Sequence, residues 1–309
     1  MVPRALLDVL DRLERGERPR ASDVAALSEL RGEELAVVRE RWPRIPRDVR
    51  ASVLEWATEL AEDNVELDFR ELALIAARDE SAPVRRLAAE ALWEANDRFV
   101  TRSLLRLLRE DEDATVRAAA ATSLMQYVLL AEFEQADPAL GAEVIAALGQ
   151  AVRSATEPPA VRARALESLG PCSQPWVDQL IRDAYFDADR ELRIAALVAM
   201  GNSADEKWLE YLVSELSSED PELRFHAAIA CGRIGSAEAV PDLVPLLDDE
   251  DLEVVRGTID ALAEIGGEEA LEHLRAFRER VPEPLAELLE EAIESAAAGW
   301  EELIGRRLP

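Results

Sequence analysis

The sequence predicts an all-α fold, a right-handed α-solenoid of about seven short helix-turn-helix repeats with a helical cap at each end. Two segments, 189–201 and 220–232, share one residue pattern at a constant offset of 31 residues, which is typical of a structural repeat. Apolar residues recur at helical spacing between the copies, and the composition is rich in Ala, Leu and Val with 5% aromatic residues. We therefore expect one elongated domain over residues 1–309, because a repeat array grows by stacking.

Residues 1–45 are predicted to form an N-terminal helical cap. Three helices are expected there, beginning near residues 3, 22 and 33, because leucines and valines recur at helical spacing after each of these points. Two prolines close behind Trp42 are expected to end the third helix.

The repeats are predicted over residues 46–266. The second helix of six repeats has a recurring arginine, with apolar residues one position before it and three, six and seven positions after it. An Asp or Ser opens most copies and is expected to cap the helix, because its side chain can accept an unpaired backbone N–H. One step of 45 residues exceeds the others, and we place the extra residues in an inserted loop around Glu132 to Gly141.

The recurring arginines have two interpretations. On a helical wheel they lie on the flank that faces the next repeat, which favours pairing with acids of the turns. A ladder of anion-binding groups along a groove is the alternative. The six residues of this structural ladder are Arg50, Arg85, Arg117, Arg162, Arg193 and Arg224.

A seventh copy, around Val254, lacks the arginine, and residues 267–309 are predicted to form a C-terminal capping repeat and tail. In this last unit Leu289 and Ile293 occupy core positions, while Glu287 and Glu291 face outward. A terminal repeat needs this pattern because one of its sides meets solvent instead of a neighbour.

The repeated units have the character Asp-x-x-Val-Arg-x-x-Ala-x-x-Ala-Leu-Gly. They resemble HEAT repeats, particularly the short HEAT-like repeats of bacterial phycobilin-lyase-like proteins, over roughly residues 46–295. The resemblance implies a binding architecture, and two enzyme classes come with it. Bilin lyases attach tetrapyrroles to proteins, and deoxyhypusine hydroxylases bind iron through His-Glu pairs. No His-Glu dipeptide occurs in this sequence, so the hydroxylase chemistry is not expected.

The charge balance narrows the class of partner. The chain has 64 acidic residues against 35 basic ones, a formal net charge of −29, which opposes binding to nucleic acid and to anionic membranes. A basic or amphipathic protein segment is the expected partner, with simple solubility as the alternative reason for the charge. No apolar run approaches the roughly 20 residues of a membrane helix, and we expect a cytoplasmic protein. Cys172 and Cys231 are too few for a disulfide framework or a zinc site.

The face of the second helices opposite the core is the predicted partner-binding surface. Its positions lie one, five and eight residues after the recurring arginine, and they turn apolar in two neighbouring repeats. An apolar patch among acids is typical of a protein interface. The alternative is that these side chains are buried between layers. The predicted concave-face residues are Ile194, Val198, Phe225, Ile229, His226, Trp93, Met125, Glu90 and Glu167.

The sequence therefore predicts a non-enzymatic scaffold or adaptor that binds a protein or peptide segment along its concave face. It shows no pattern typical of catalytic residues, a metal site or a cofactor site. A bilin lyase or a chaperone-type modifying factor is the alternative. A helical-repeat DNA-binding protein is a further alternative, which the acidic charge disfavours.

Overall fold

The computed structural model describes residues 2–95 and 97–305, with side chains up to residue 298. Within these residues all regular structure is helical, which confirms the predicted all-α class. The chain divides into two compact units, residues 1–168 and 169–309. The single elongated domain stays a prediction.

The first unit contains the N-terminal helices and the first repeats. Its helices are α1 (Arg4–Glu14), α2 (Ala21–Ala25), α3 (Gly32–Arg41), α4 (Arg47–Asp63), α5 (Arg70–Ala76), α6 (Ala82–Ala91), α7 (Arg98–Glu110), α8 (Ala114–Ser123), α9 (Met125–Glu132), α10 (Pro138–Arg153) and α11 (Pro159–Leu169). The last of these ends one residue beyond the boundary of the unit. The three helices expected before residue 46 are present, the second of them reduced to five residues.

The second unit continues with shorter and more regular repeats. Its helices are α12 (Pro175–Tyr185), α13 (Arg190–Asn202), α14 (Leu209–Glu215), α15 (Pro221–Ile234), α16 (Val240–Leu243), α17 (Leu252–Ile265), α18 (Gly267–Phe277) and α19 (Ala286–Gly305). Short 3₁₀ segments lead into α14, α16 and α19.

Seven pairs of helices follow α4 in the described residues, and each pair consists of a first helix, a turn and a second helix. The second helices are α6, α8, α11, α13, α15, α17 and α19. The apolar positions that recur in the sequence form the core. Val84, Ala88 and Leu92 are fully buried in the repeat of α6, and their equivalents in the next two repeats are fully buried too. Each fully buried aliphatic side chain the size of valine or leucine stabilises the fold by about 1.5–3 kcal/mol.

Aspartates start several of the second helices, as the sequence predicts. The carboxylate of Asp113 accepts the backbone N–H two residues further on at 2.8 Å, and Asp220 and Asp251 accept the equivalent bond at 3.0 and 2.8 Å. Such a cap stabilises a helix by about 1 kcal/mol. Two positions differ from the prediction. The helix α4 begins one residue before Asp48, and the hydroxyl of Ser81 makes no capping bond.

The long step between α8 and α11 is mostly helical, which corrects the inserted loop predicted around residues 132–141. The extra residues form α9 and the first turn of α10, and residues 133–137 form the loop between these two helices. The physical reason is burial, because Tyr127 and Val128 on α9 belong to the core. Gly141 allows α10 to approach α9, since a Cβ at this position would lie 2.9 Å from a side-chain carbon of α9.

Glycines allow the second helices of the second unit to touch through their backbones. A Cβ added to Gly201 would lie 2.8 Å from the Cα of Ala230, and one added to Gly232 would lie 2.7 Å from the Cα of Ala261. Close-packed atoms do not approach so near, so these contacts require glycine. Both glycines lie eight residues after the recurring arginine. This position therefore faces the neighbouring repeat rather than solvent.

The last helix pair has the capping pattern that the sequence predicts. Leu289 and Ile293 of α19 are buried, whereas Glu287 and Glu291 are exposed. Residues 306–309 of the predicted tail lie outside the described part of the chain.

Candidate functional site

The recurring arginines join neighbouring repeats. Arg85 donates hydrogen bonds of 2.7 and 2.8 Å to the carboxylate of Asp111 in the next turn, and Arg224 donates two of 2.7 Å to Asp249. Each arginine also donates to a backbone carbonyl six residues earlier, at 2.9 and 2.8 Å. The bonds to the carboxylates raise the pKa of both guanidinium groups.

Arg50 forms the most deeply buried pair of this ladder. Its guanidinium donates to Asp79 at 2.6 Å, and the same carboxylate oxygen accepts Nε1–H of Trp42 at 2.8 Å. The side chain of Arg50 is 4% exposed and that of Asp79 is 0% exposed. The other three contacts are Arg117 to Glu157 at 2.9 Å, Arg162 to the Val152 carbonyl at 3.0 Å and Arg193 to Glu215 at 3.6 Å. All six arginines therefore have partners inside their own unit.

The apolar residues predicted as anchors lie where the second helices of the second unit meet. Ile194 is buried at 8% exposure, so the prediction that it faces solvent is wrong. Val198, Phe225 and Ile229 are half-buried. The physical reason is that these side chains face the second helix of the next repeat. For example, a Cβ on Gly257 of α17 would lie 2.8 Å from the Phe225 ring of α15. The three half-buried side chains still leave an apolar stripe with accessible edges.

Charged groups border this apolar stripe. The guanidinium of Arg256 lies 5.6 Å from the centre of the Phe225 ring. The half-buried His226 ring packs edge-on against the same Phe225 ring, with 5.1 Å between the two ring centres. Partial burial raises the pKa of Asp260, with Arg256 acting in the opposite direction. Packing against α15 raises the pKa of Glu264. Carboxylates in such surroundings are stabilised by an added cation.

The predicted residues of the first unit differ in accessibility. Glu167 is buried at 7% exposure and pairs with Arg164, so its predicted place on an open face is wrong; α11 turns this residue inward. Glu90 is half-buried and pairs with Arg86, and Met125 is half-buried at the start of α9. Trp93 is the exception, because 49% of it is exposed.

Trp93 lines a pocket of about 280 Å³ at the C-terminal ends of α4 and α6. Three carboxylates also line this pocket, those of Glu62, Asp68 and Glu94, and all three residues are exposed. Sequence reasoning found the tryptophan but missed these acids, because they lie at helix ends and in turns, outside the repeated columns. The sequence feature that could have revealed these carboxylates is the high number of acidic residues around the two helix ends.

The electrostatics of this Trp93 pocket favour a cation. The side chains of Glu62 and Glu94 have neither an ion pair nor a hydrogen bond in the part of the chain that the structure describes. Arg70, a base that also lines the pocket, pairs with Asp97 at 3.1 Å and with Asp68 at 3.7 Å. The ends of α4 and α6 add the partial negative charge of helix C-termini. An accessible indole face attracts a cation by about 0.5–1 kcal/mol at an exposed site.

Metal binding and membrane insertion are two further possibilities for the described residues. Among them, no group of three or more His, Cys, Asp or Glu side chains is placed to hold a metal ion. No helix in this part of the chain combines the length and apolar character that crossing a membrane demands.

Stacked helix pairs, arginine bridges between repeats and buried repeat columns together define an α-solenoid repeat protein. The family described as HEAT repeats matches residues 69–140 and 209–294, together just over half of the chain. The chain belongs to the HEAT-repeat family, as its repeated residue pattern predicts.

Solved structures share this fold at low sequence identity. The complex of CpcE and CpcF of phycocyanin lyase from Nostoc sp. PCC7120 aligns with a TM-score of 0.53 at 21% identity, over 91% of this chain and 96% of that chain. Importin beta aligns with a TM-score of 0.50 at 15% identity, over 94% of this chain and 44% of its own. Kap121p, bound to the extreme C-terminus of the protein phosphatase Cdc14p, aligns with a TM-score of 0.50 at 17% identity, over 94% and 38%. Such identities show the fold alone. Among curated proteins no match was found.

Proposed function

We propose that this protein is a non-enzymatic scaffold that binds a basic, amphipathic segment of another protein on the face of its second helices. The observation that carries the proposal is the Trp93 pocket. An exposed indole, three carboxylates and two helix C-termini converge there on a space of about 280 Å³.

A lysine or arginine side chain of the partner is the group that this pocket suits. Its apolar stem would lie on the indole face, and its charge would lie among Glu62, Asp68 and Glu94. Because Glu62 and Glu94 have no cation of their own among the described residues, these two carboxylates can take an incoming cation without losing an ion pair, whereas Asp68 already pairs with Arg70 at 3.7 Å.

The apolar stripe of the second unit is a second proposed contact area. Val198, Phe225 and Ile229 keep accessible edges, and burial has already raised the pKa of the neighbouring Asp260. An amphipathic segment would place apolar side chains on the stripe and basic ones near that carboxylate. Kap121p, which shares this fold, holds a C-terminal protein segment in its solved structure, and this supports a protein as the class of ligand.

Fluorescence anisotropy of a short labelled peptide of lysine and leucine at helical spacing tests the proposal. Trp93→Ala should weaken binding about tenfold, equivalent to about 1.4 kcal/mol, because the cation–π contact and its apolar surface are lost. Phe133→Ala is the matched control, since Phe133 is another exposed aromatic residue of the first unit, at 68% exposure. Equal affinities of these two variants would contradict the assignment of the pocket.

The carboxylates are tested by Glu62→Gln combined with Glu94→Gln. This change should weaken binding by about three- to tenfold and reduce its dependence on salt, since exposed ion pairs contribute about 0.2–1 kcal/mol each. Glu287→Gln combined with Glu291→Gln removes the same charge from exposed positions of the second unit and should leave the affinity nearly unchanged. A parallel loss in both double variants would mean that net charge, and not the pocket, governs binding.

A further inference from the structure

A second cavity of the first unit has a different charge character. It has a volume of about 900 Å³ and lies between the first helices α3, α5 and α7, with Trp42 and Arg50 on its floor. Arg39, Arg78 and Arg102 stand on its walls. We call this cavity the arginine cleft.

The three wall arginines lack partners within the described residues. Arg39, Arg78 and Arg102 are exposed, and none has an ion pair or a hydrogen bond from its side chain in the residues that the structure describes. Most other arginines of this acidic chain are paired, as the ladder shows. Residues 1–168 contain 23 of the 35 bases but only 32 of the 64 acids, so the excess of acids is smaller in this unit than in residues 169–309.

In the described part of the chain, no acid on the cleft wall forms an ion pair with these three arginines. Asp79 lies 2.6 Å from Arg50 and Glu80 lies 3.3 Å from it, so two of the three carboxylates that line the cleft already have a cation. The third, Glu71, leaves the three arginines in excess of the free carboxylates in the described residues. Arg106, one turn after Arg102 on α7, shows the effect of the remaining positive charge. Burial lowers its pKa, and the charge of Arg78 lowers it further. An anion placed among these side chains would relieve that repulsion.

An apolar surface accompanies the positive charge. Phe99 lines the cleft and is 78% exposed. Leu74 and Ile75 of α5 continue the apolar lining beside it. A ligand for this site therefore needs both negative groups and an apolar group.

We propose that the arginine cleft binds an acidic segment of a partner protein, with its carboxylates on Arg39, Arg78 and Arg102 and an apolar side chain on Phe99. Arginine binds carboxylates through paired N–H donors. The negative net charge of the chain opposes the binding of an acidic peptide less than it opposes the binding of nucleic acid. Screening limits charge interactions to about 8–10 Å at physiological salt, and a peptide can place a few carboxylates in the cleft and remain neutral elsewhere. This site is separate from the proposed Trp93 pocket and takes a ligand of opposite charge.

Anisotropy of a labelled peptide with several glutamates around one phenylalanine tests the proposal on the full chain. Replacing Arg39, Arg78 and Arg102 together by Ala should weaken binding by about tenfold or more. The fold should be retained, because these side chains make no bond within the described residues. The matched control replaces Arg4, Arg18 and Arg275 by Ala, which are also exposed and outside the cleft; its affinity should stay within about twofold of the wild type.

Three further binding measurements test the proposal. Phe99→Ala should weaken binding without changing its salt dependence, and Trp93→Ala should leave it unchanged. A peptide with glutamine in place of every glutamate should bind far more weakly. The proposal is overturned if the two triple variants bind equally, if the glutamine peptide binds as well, or if a single-stranded oligonucleotide binds the cleft more tightly than the acidic peptide.

Discussion

The substitution Arg50→Met tests whether the arginine ladder stabilises the repeats through buried charge pairs. It would leave the carboxylate of Asp79, which is 0% exposed, with hydrogen bonds from Trp42 and a backbone N–H but without its cation. Removing one partner of such a buried pair costs about 3–5 kcal/mol, because the remaining charge is desolvated and uncompensated. Urea denaturation followed by far-UV circular dichroism measures this loss as a lower midpoint.

Arg193→Met provides the matched control within the same ladder. The side chain of Arg193 is 36% exposed and its contact with Glu215 is 3.6 Å long, so its removal should cost less than about 1 kcal/mol. Combining Arg50→Met with Asp79→Asn should recover part of the lost stability, because no buried charge then remains. Equal midpoints for the two single variants would refute the view that burial sets the contribution of each arginine.

Other predictions concern the second unit. The hydrogen bond from Arg190 lowers the pKa of Asp220 to about 2 from its ordinary value of 3.8. The ionised carboxylate therefore favours folding: its contribution is present above about pH 4 and is lost as the pH falls towards 2. Arg190→Gln should raise that pKa in an NMR titration, and an unchanged value would contradict the pair. Gly201→Ala should lower the free energy of unfolding by about 1–3 kcal/mol, because the new Cβ would lie 2.8 Å from the Cα of Ala230; an unchanged melting temperature would disprove the close contact. Burial raises the pKa of Cys231 to about 12, so a thiol reagent should modify it only as the protein unfolds, and rapid labelling of the native protein would count against its core position.

The fold was largely predictable because the same pattern of core residues recurs in every repeat. Val84, Ala88 and Leu92 have equivalents in other copies, so the core columns are read from several helices at once. The insertion between α8 and α11 occurs only once, so its residues cannot be compared with those of another copy. Polar residues after Glu132 suggested a loop, whereas the burial of Tyr127 and Val128 makes most of it helical.

The candidate sites were less predictable, because a helical wheel gives directions around one helix but no distances between helices. Ile194 was expected on an open face and is buried instead, since glycines such as Gly201 bring the second helices into backbone contact. The Trp93 pocket depends on Glu62 and Asp68, which come from a helix end and a turn rather than from a repeated column. Only the three-dimensional arrangement brings these residues to one pocket.

Fluorine NMR of protein labelled with fluorotryptophan tests the proposed Trp93 pocket most directly. The chain has six tryptophans, and the signal of Trp93 is assigned by its absence in Trp93→Phe. Adding the basic amphipathic peptide should shift this signal with the same Kd that anisotropy gives, while the signal of the fully buried Trp208 stays in place. Binding of the peptide without any change in the Trp93 signal would contradict the proposed site.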